Sequence, residues 1–400
     1  MREKDKDMSQ ERIVYLGNVG EANSASAIHV YNRSDLLKDL GYEIHAICDL
    51  PKNKERMQSN DIIKYHYLNP IEGKGKIRGL KWNVNLMFAN NSYPCAKKLL
   101  KAIKPKYVIL YEVDSVALQN KLRKYCNKEG ITLIIETTEW MEISRERKVS
   151  ANLIVSQKDF QKKYTDRKCK NVIAISSFLE NHYKEQGCNV ICIPPTFPQF
   201  MEKNQIQRIK DERCNASIRL VFAGSLSHKD YLKELIEALL VINKDIIKIS
   251  FDIIGPSEEE IMQYVNEYNL TKYGIFVHGR KTHNEVLKIV QKADFSILLR
   301  QNKRYAKAGV STKFCEAMKL GVPSICTQVG GTDLFVQHME NGILVKDNTV
   351  DTLIAMLQSL LEMNTNEILE IKQNAYKYAE EKFSKKKYIG AMSKFLSESK

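Results

Sequence analysis

The sequence predicts an α/β protein with two doubly wound parallel sheets, each covered by helices on both faces. Short runs rich in β-branched residues alternate with amphipathic stretches along the chain, which is the pattern of buried parallel strands and their covering helices. This alternation breaks off near the middle of the chain and then begins again, so two sheets are expected rather than one. A length of 400 residues agrees, because single cores rarely extend beyond roughly 250–300 residues.

The first domain is expected over residues 1–195. Its first strand, 12–17 (RIVYLG), precedes a helix over 24–40 that ends at Gly41, and the strand 43–48 follows. Further strands are predicted, with helical stretches between them, at 107–111, 131–135, 152–155 and 172–175, and 191–195 closes the domain.

The second domain is expected over residues 218–383, after a polar linker without periodicity at 196–217. It starts with the strand 218–223 and a helix over 230–240. Its later strands are predicted at 249–254, 275–277, 294–299 and 323–326. The residues from 350 onward predict helices, and the last segment, 384–400, is expected to form a helix that crosses back over the first domain.

Composition limits the classes of function. A net charge of +14 is compatible with nucleic acid, an anionic membrane surface or phosphorylated substrates as partners. The sequence has no nucleic-acid recognition module, so no nucleic-acid partner is expected. No apolar run approaches the ~20 residues of a membrane span, and the charged residues 1–12 are unlike a signal peptide. Nine scattered cysteines without zinc-type spacing favour reduced thiols in a cytoplasmic protein.

Ligands of open parallel sheets bind beyond the carboxyl ends of the strands, so the candidate residues lie there. In the first half, Gly17 and Gly20 flank the turn after the first strand, where glycines let backbone amides approach a phosphate or a sugar. A tight turn without a ligand is equally compatible with them. Later strand ends carry four carboxylates, Glu112, Asp114, Glu136 and Glu139. Glu112 and Glu139 are candidates to face an acceptor. The alternative is that each is an ordinary surface carboxylate.

The matching turn of the second half is Gly224-Ser225, with Lys229 where a helix begins. A cation at that end opposes the helix dipole, and a bound diphosphate would reconcile the two. A solvated lysine is the alternative explanation.

The segment 294–326 is richer in candidate residues. Its strand ends in Arg300, and a basic loop and the residues Gly309-Val310-Ser311-Thr312 lead into a helix that carries Lys313 and Glu316. A helix N-terminus preceded by glycine and several cations is an anion site on physical grounds. A carboxylate beside a phosphate site, such as that of Glu316, is suited to accept hydrogen bonds from ribose hydroxyls.

The run EAMKLGVP, from Glu316 to Pro323, together with Gly309-Val310 before it, resembles the most specific motif of the retaining glycosyltransferases of family 4. These enzymes have the GT-B fold, in which two Rossmann-like domains face one another across a cleft. The resemblance implies that Glu316 binds the ribose of a nucleotide and that the amides of the glycine-containing loop touch its diphosphate.

Other runs are similar to the same family. Ala223-Gly224-Ser225 with Lys229 is similar to the turn that holds the donor diphosphate, which implies a catalytic role for Lys229. The run FVHGR, which includes Gly279 and Arg280, is similar to the strand end whose backbone meets the base.

Three positions depart from the family pattern. Ala308 stands where the family has the first Glu of its motif, Ser225 stands where an arginine is usual, and no histidine follows the strand 107–111. A subset of the family lacks the first Glu and carries a lysine before the second, as Lys313 does here. Ala308 is therefore interpreted as subfamily variation, and an inactive enzyme is the alternative.

The resemblance implies a hexosyl- or related transferase (EC 2.4 class) that uses a UDP- or GDP-linked sugar, retains the anomeric configuration, and serves cell-surface polysaccharide or glycoconjugate synthesis. The acceptor would be a glycan or a lipid-linked molecule. The cations Lys229, Arg300 and Lys313 can neutralise the leaving diphosphate, and no DxD-like motif lies in a suitable loop. Neither a metal nor another cofactor is therefore expected. The alternatives are an epimerase or phosphorylase of the same fold, and a catalytically silent protein that binds nucleotide-sugar or acts as a scaffold.

Basic residues of the first half offer a peripheral membrane contact. They could hold the protein on the inner face of an anionic membrane beside a lipid-linked acceptor, or could form a solvated loop; they are Lys52, Lys54, Arg56, Lys74, Lys76, Arg78 and Lys81. The expected location is cytoplasmic, with this peripheral contact as a further expectation.

Overall fold

The computed structural model describes residues 10–17, 19–22, 24–50, 55–69, 71, 75–145, 148–200, 217–224, 231–265, 267 and 269–399. The chain divides into two compact units, of which the first contains residues 1–198 and 385–400 and the second contains residues 199–384. Each unit contains one parallel sheet with helices around it, which confirms the predicted fold class of two Rossmann-like α/β domains.

Within its described residues, the first unit has a seven-stranded sheet in the order β3-β2-β1-β4-β5-β6-β7. The strands are β1 (Arg12–Gly17), β2 (Glu43–Cys48), β3 (Ile63–Tyr67), β4 (Tyr107–Tyr111), β5 (Thr132–Thr137), β6 (Asn171–Ala174) and β7 (Asn189–Cys192). All neighbours pair in parallel. The order of the strands reverses at β1 and β4, and the crevice beyond such a reversal is where ligands of this architecture bind.

The helices of the first unit are α1 (Ala25–Asp39), α2 (Gly75–Phe88), α3 (Ser92–Ile103), α4 (Val116–Glu129), α5 (Val149–Phe160) and α6 (Ser177–Glu185). Side chains cap several of them, as Ser24 does at α1 and Ser115 at α4, where each hydroxyl accepts a hydrogen bond from the amide three residues on.

The predicted strand at 152–155 is wrong, because these residues lie in α5. The run is apolar and partly β-branched, but a short run of this kind has no periodicity that separates a strand from a buried helical turn. No glycine or proline interrupts residues 149–160, and the helix continues directly into a π-helical turn at Gln161–Thr165. The strand β3 was not predicted at all.

Within its described residues, the second unit has a six-stranded parallel sheet in the order β10-β9-β8-β11-β12-β13. The strands are β8 (Ile218–Ala223), β9 (Ile249–Ile254), β10 (Ile275–Gly279), β11 (Phe295–Leu298), β12 (Ser324–Thr327) and β13 (Gly342–Val345). The order of the strands reverses at β8 and β11, so the corresponding crevice lies beyond the carboxyl ends of these two strands.

Helices cover both faces of the second sheet. They are α7 (Leu232–Ile242), α8 (Glu258–Met262), α9 (His283–Lys292), α10 (Arg304–Ala308), α11 (Thr312–Lys319), α12 (Val350–Glu362) and α13 (Thr365–Phe383). The sequence Thr-His-Asn-Glu starts α9 with a capping box, in which the side chains of Thr282 and Glu285 each bind the other's backbone amide.

The last helix, α14 (Ile389–Glu398), packs in the first unit. Its side chains Met392, Phe395 and Leu396 are buried in the same core as β1 and β4, and the hydroxyl of Tyr107 donates a hydrogen bond of 3.0 Å to the carbonyl oxygen of Leu396. Within the described part of the chain, no helix combines the length and the apolar character that crossing a bilayer requires.

Candidate functional site

The turn after β8 brings a glycine against a lysine. A Cβ atom at Gly224 would overlap the ammonium nitrogen of Lys313 and would lie 3.2 Å from Cζ of Phe222. The amide of Gly224 donates a 2.8 Å hydrogen bond to the carbonyl oxygen of Ile254, and a Cβ at Gly255 would overlap the carbonyl oxygen of Gly224. Residue 255 therefore requires a glycine, and the lack of a side chain at residue 224 lets Lys313 reach the end of β8.

Lys313 belongs to the first turn of α11. Ser311 starts this helix, since its hydroxyl accepts a hydrogen bond from the amide of Phe314 at 3.3 Å. A cavity of about 60 Å³ is lined by Arg300, Ser311 and Lys313 together with apolar residues of β8 and β11. The structure therefore brings two of the sequence-predicted cations together at one helix N-terminus, where the helix dipole also favours an anion.

The loop amides before α11 are partly engaged inside the protein. The amide of Ser311 donates to the hydroxyl of Thr332 at 3.1 Å, and the amide of Gly309 donates to the carbonyl oxygen of Tyr305 at 3.2 Å. Val310 is buried. The amides of Gly309 and Ser311 therefore serve contacts within the protein, and the first turn of α11 supplies the helix N-terminus that attracts an anion.

Glu316 lies one turn beyond Lys313 and is half-buried. Its carboxylate is 3.6 Å from Nε2 of His283, the first residue of α9. Burial raises the pKa of Glu316, while the charges of His283, Lys319 and Lys313 oppose this rise. His283 was not predicted as a site residue, although the capping box that starts α9 directly after β10 was a signal for its position.

Two further predicted donor residues, Gly279 and Arg280, lie at the carboxyl end of β10. Gly279 has a φ of 63°, which favours glycine, and its carbonyl oxygen accepts a 2.8 Å hydrogen bond from the amide of Gly255. Arg280 is exposed. Ser225 and Lys229 lie outside the described residues.

Ala308 is completely buried, at the end of α10. A glutamate side chain has no solvent-facing room there without rearrangement of the surrounding residues. In this chain, residue 308 is therefore a packing position.

The first unit has a cavity of about 400 Å³ at the carboxyl ends of β1, β2 and β4. Gly17, Asp49, Glu112 and Asp114 line it. A Cβ at Gly17 would overlap the carbonyl oxygen of Tyr111, so the turn after β1 requires a glycine for close packing of two strand ends.

Glu112 is held by the buried Lys162 and the partly buried Lys158. Its Oε2 lies 3.2 Å from Nζ of Lys158 and 3.6 Å from Nζ of Lys162, and its Oε1 accepts a 2.8 Å hydrogen bond from the amide of Thr138. Burial raises the pKa of Glu112, but the two lysines and the amide outweigh burial and keep it below its usual range. Its backbone φ of 45° is rare for a residue other than glycine, and such strain is common at functional sites.

Asp49 and Asp114 are the more open carboxylates of this cavity. The side chain of Asp49 is exposed to the cavity, where partial desolvation, and then the charge of Asp114, raises its pKa to about 6. Burial also raises the pKa of Asp114, against the nearby Lys158 at 3.5 Å. Asp49 was not predicted, although it directly follows a strand.

Two other residues that were predicted to face an acceptor, Gly20 and Glu139, do not line this cavity. Gly20 packs so closely on β2 and β3 that a Cβ would lie 2.6 Å from Sγ of Cys48 and 2.8 Å from Cε1 of Tyr67. Glu139 is 39% exposed and lies 3.8 Å from Nζ of Lys158, without lining the cavity.

Glu136 does not face the cavity either. It is completely buried beneath the sheet end, where Tyr15, His29 and Arg33 surround its carboxylate at 2.8, 2.8 and 3.2 Å. Its place in the core makes it a structural residue.

Among the residues that the structure describes, no group of three or more histidine, cysteine, aspartate or glutamate side chains is arranged to hold a metal ion.

Each of the two sheets has candidate residues beyond the strands at which its strand order reverses. Two such Rossmann-like domains define the fold of the GT-B glycosyltransferases. Solved structures agree: Anabaena HepE, crystallised in complex with UDP, superposes with a TM-score of 0.63 over 96% of this chain and 99% of its own, at 14% identity. This level of identity establishes the likeness of fold alone.

Residues 204–382 match the family model described as Glycosyl transferases group 1. An uncharacterized glycosyltransferase of Methanocaldococcus jannaschii is 27% identical over 238 residues, which is 58% of this chain and 59% of that protein. WcaL of Escherichia coli, provisionally described as a colanic acid biosynthesis glycosyltransferase, is 24% identical over 170 residues, 42% of each chain. The aligned region thus spans 59% and 42% of the lengths of these two relatives. The family model thus matches the second half of the chain, and both relatives are described as glycosyltransferases.

Proposed function

We propose that the protein transfers a sugar from a nucleotide-sugar to a glycan or lipid-linked acceptor, with retention of the anomeric configuration. The observation that carries this proposal is the convergence of Arg300 and Lys313 at the N-terminus of α11, with Glu316 one turn further on. Two cations and a helix terminus suit a diphosphate, and a half-buried carboxylate beside them suits the hydroxyls of a ribose.

The donor in this proposal is a UDP- or GDP-linked sugar. The diphosphate would lie against Gly224, the amides of Thr312 and Lys313, and the two cations, while Glu316 and His283 would meet the ribose. HepE, a neighbour in fold, was crystallised with UDP and with UDP-glucose, which supports a uridine nucleotide as the first to test.

In the transfer step, the bond between the anomeric carbon and the diphosphate oxygen breaks, and a bond to the acceptor oxygen forms on the same face of the sugar. The acceptor hydroxyl gives its proton to the departing phosphate. Lys313 and Arg300 would stabilise the charge that develops on this leaving group, in a role that a metal ion has in other transferases. We therefore propose transfer without a metal or another cofactor.

The acceptor would bind in the cavity of the first unit, where Asp49 and Asp114 can hydrogen-bond to sugar hydroxyls. Glu112 would position these groups through Lys158 rather than touch the acceptor. The description of WcaL supports a role in the synthesis of a cell-surface polysaccharide.

Thermal-shift binding tests the donor site. The protein is heated with a panel of nucleoside diphosphates and their sugars, and Glu316→Ala is compared with wild type, because a ligand that binds the native state raises Tm. One nucleotide family should stabilise the wild type and fail to stabilise the variant. Glu370→Ala, an exposed carboxylate on α13, is the matched control and should keep the shift.

A second candidate is a catalytically silent protein that binds nucleotide-sugar, which the buried Ala308 favours because the carboxylate usual at this position is missing. That candidate predicts a thermal shift without transfer or hydrolysis of the stabilising nucleotide-sugar. If no nucleotide shifts Tm, both the enzyme and the silent nucleotide binder are rejected.

A further inference from the structure

Helix α2 has an exposed apolar face. Its large apolar side chains Ile77, Leu80, Met87 and Phe88 are 65%, 66%, 51% and 62% exposed. Their spacing of three, seven and one residues places them on a single side of the helix. An exposed apolar face of this kind in a folded unit marks an interaction surface.

Helix α5 has the same property. Val149, Leu153 and Phe160 recur at helical spacing and are 78%, 41% and 48% exposed. Tyr164, in the following π-helical turn, is 50% exposed, and its ring centroid lies 5.0 Å from that of Phe160.

The two helices are neighbours. Nε2 of Gln157 on α5 donates a hydrogen bond of 3.5 Å to Sδ of Met87 on α2, and Oε1 of the same Gln157 accepts one of 3.1 Å from the amide of Val116. Gln157 thus links the two helices. We call their exposed apolar side chains together the α2–α5 face, made of Ile77, Leu80, Met87, Phe88, Val149, Leu153, Phe160 and Tyr164.

The charge around this face is positive. Helix α2 carries Lys76, Arg78 and Lys81 and no acidic residue, and on a helical wheel the two lysines flank the apolar side chains. Lys148, directly before α5, is exposed, while Asp159 on α5 is paired with Lys163 at 2.6 Å. An apolar helical face bordered by cations is the pattern of a helix that lies in the interface of an anionic membrane.

The opposite sides of both helices line the cavity of the first unit. Arg78, Trp82 and Leu86 of α2 and Ile154 of α5 line it, at helical spacing and away from the apolar face. The same two helices thus present one side to the cavity and the other to solvent.

We propose that the α2–α5 face docks on a lipid bilayer that contains anionic phospholipids. The apolar side chains enter the boundary between headgroups and acyl chains, and Lys76, Lys81 and Lys148 contact the lipid phosphates. Docking does not depend on sugar transfer. Where the proposed function also holds, docking places the acceptor cavity beside the bilayer, so the acceptor is lipid-linked.

Vesicle co-sedimentation of the full chain tests docking. Vesicles of phosphatidylcholine alone are compared with vesicles in which a third of the lipid is phosphatidylglycerol. Wild type should bind the anionic vesicles at least about tenfold more tightly, since each basic residue near such a surface contributes about 1 kcal/mol, roughly fivefold in affinity. The double variant Lys76→Gln/Lys81→Gln should lose this preference.

Apolar contact is tested by Ile77→Asp/Leu80→Asp, which should lower binding to anionic vesicles by tenfold or more. The control is Val241→Asp/Ile246→Asp, two exposed apolar residues of the second unit, which should bind as wild type does. The Tm of each variant is measured, and a variant that has lost its native transition is replaced by Phe88→Ser. Equal binding by wild type and the α2 variants, or no binding by wild type, overturns the proposal. The other outcome is that wild type fails to bind vesicles but self-associates in sedimentation velocity. If the α2 variants abolish this self-association, a second copy of the chain is the occupant of the face.

Discussion

The ammonium nitrogen of Lys313 occupies the space beside Gly224 that any other side chain at residue 224 would fill. This contact joins the end of β8 to the first turn of α11, which are 89 residues apart in the sequence. It also connects two parts of the proposed diphosphate site, so a change at the glycine is expected to act on the site through the lysine.

Gly224→Ala should weaken nucleotide diphosphate binding by about ten- to a hundredfold. The added methyl group displaces Lys313, and a hydrogen bond to a charged group is worth about 1.5–3 kcal/mol. Isothermal titration with the nucleotide that stabilises wild type measures the effect. Gly390→Ala, where a Cβ meets no atom within 4 Å, is the matched control and should bind normally. Unchanged affinity in Gly224→Ala would remove Lys313 from the diphosphate site.

Lys313→Ala should lower kcat by about 10²–10³, because a fixed charge that stabilises the leaving group acts mainly in the transition state. Lys377→Ala, an exposed lysine of α13, should leave kcat unchanged. The rates are measured with and without EDTA. Loss of wild-type turnover in EDTA, with recovery on addition of magnesium or manganese, would show that a metal takes the role assigned here to the lysine.

Ala308→Glu should destabilise the protein without raising its activity. The side chain of Ala308 is completely buried, and burial of a carboxyl group without a prepared partner costs about 2 kcal/mol or more. Urea unfolding measures this loss, and Ala391→Glu, an exposed alanine of α14, should be close to neutral. A stable and more active Ala308→Glu would mean that residue 308 faces the substrate.

The stability of the first unit should fall in acid through Glu136. Burial raises the pKa of this carboxyl, but the charges of His29 and Arg33 and the hydrogen bonds from His29 and Tyr15 lower it to about 2. The folded pKa lies below the unfolded value of about 4.3, so the ionised carboxylate stabilises the fold fully above that value. This contribution is lost as the pH falls from about 4.3 towards 2.

Glu136→Ala tests the same network at neutral pH. It leaves Arg33 buried without its counter-ion and His29 without its hydrogen-bond partner, which should lower the free energy of unfolding by about 3–5 kcal/mol. Glu398→Ala, which removes an exposed pair with Lys394 in the same unit, is the control and should cost about 1 kcal/mol or less. A Glu136→Ala protein as stable as wild type, with the same acid transition, would contradict the role of this network.

The local pattern of the sequence determined the two parallel sheets, the glycine turns and the start of α11 at Ser311. Strand alternation, capping residues and glycines act over a few neighbouring residues, so they can be recognised without knowledge of the fold. Where local signals conflict, as in residues 149–160, the short apolar run predicts a strand, whereas the structure has a helix that contacts α4 and buries Val155.

Only the tertiary structure decided which strand-end carboxylates serve a site. Glu112, Asp114, Glu136 and Glu139 look alike in the sequence, yet Lys158 and Lys162 fix Glu112 and the core encloses Glu136. The contact of Glu316 with His283 likewise joins residues that are distant in the chain. The same is true of α2 and α5, which together line the first cavity and carry the α2–α5 face. A sequence specifies each element through short-range preferences, whereas contacts between elements arise only when the sheet order brings their ends together.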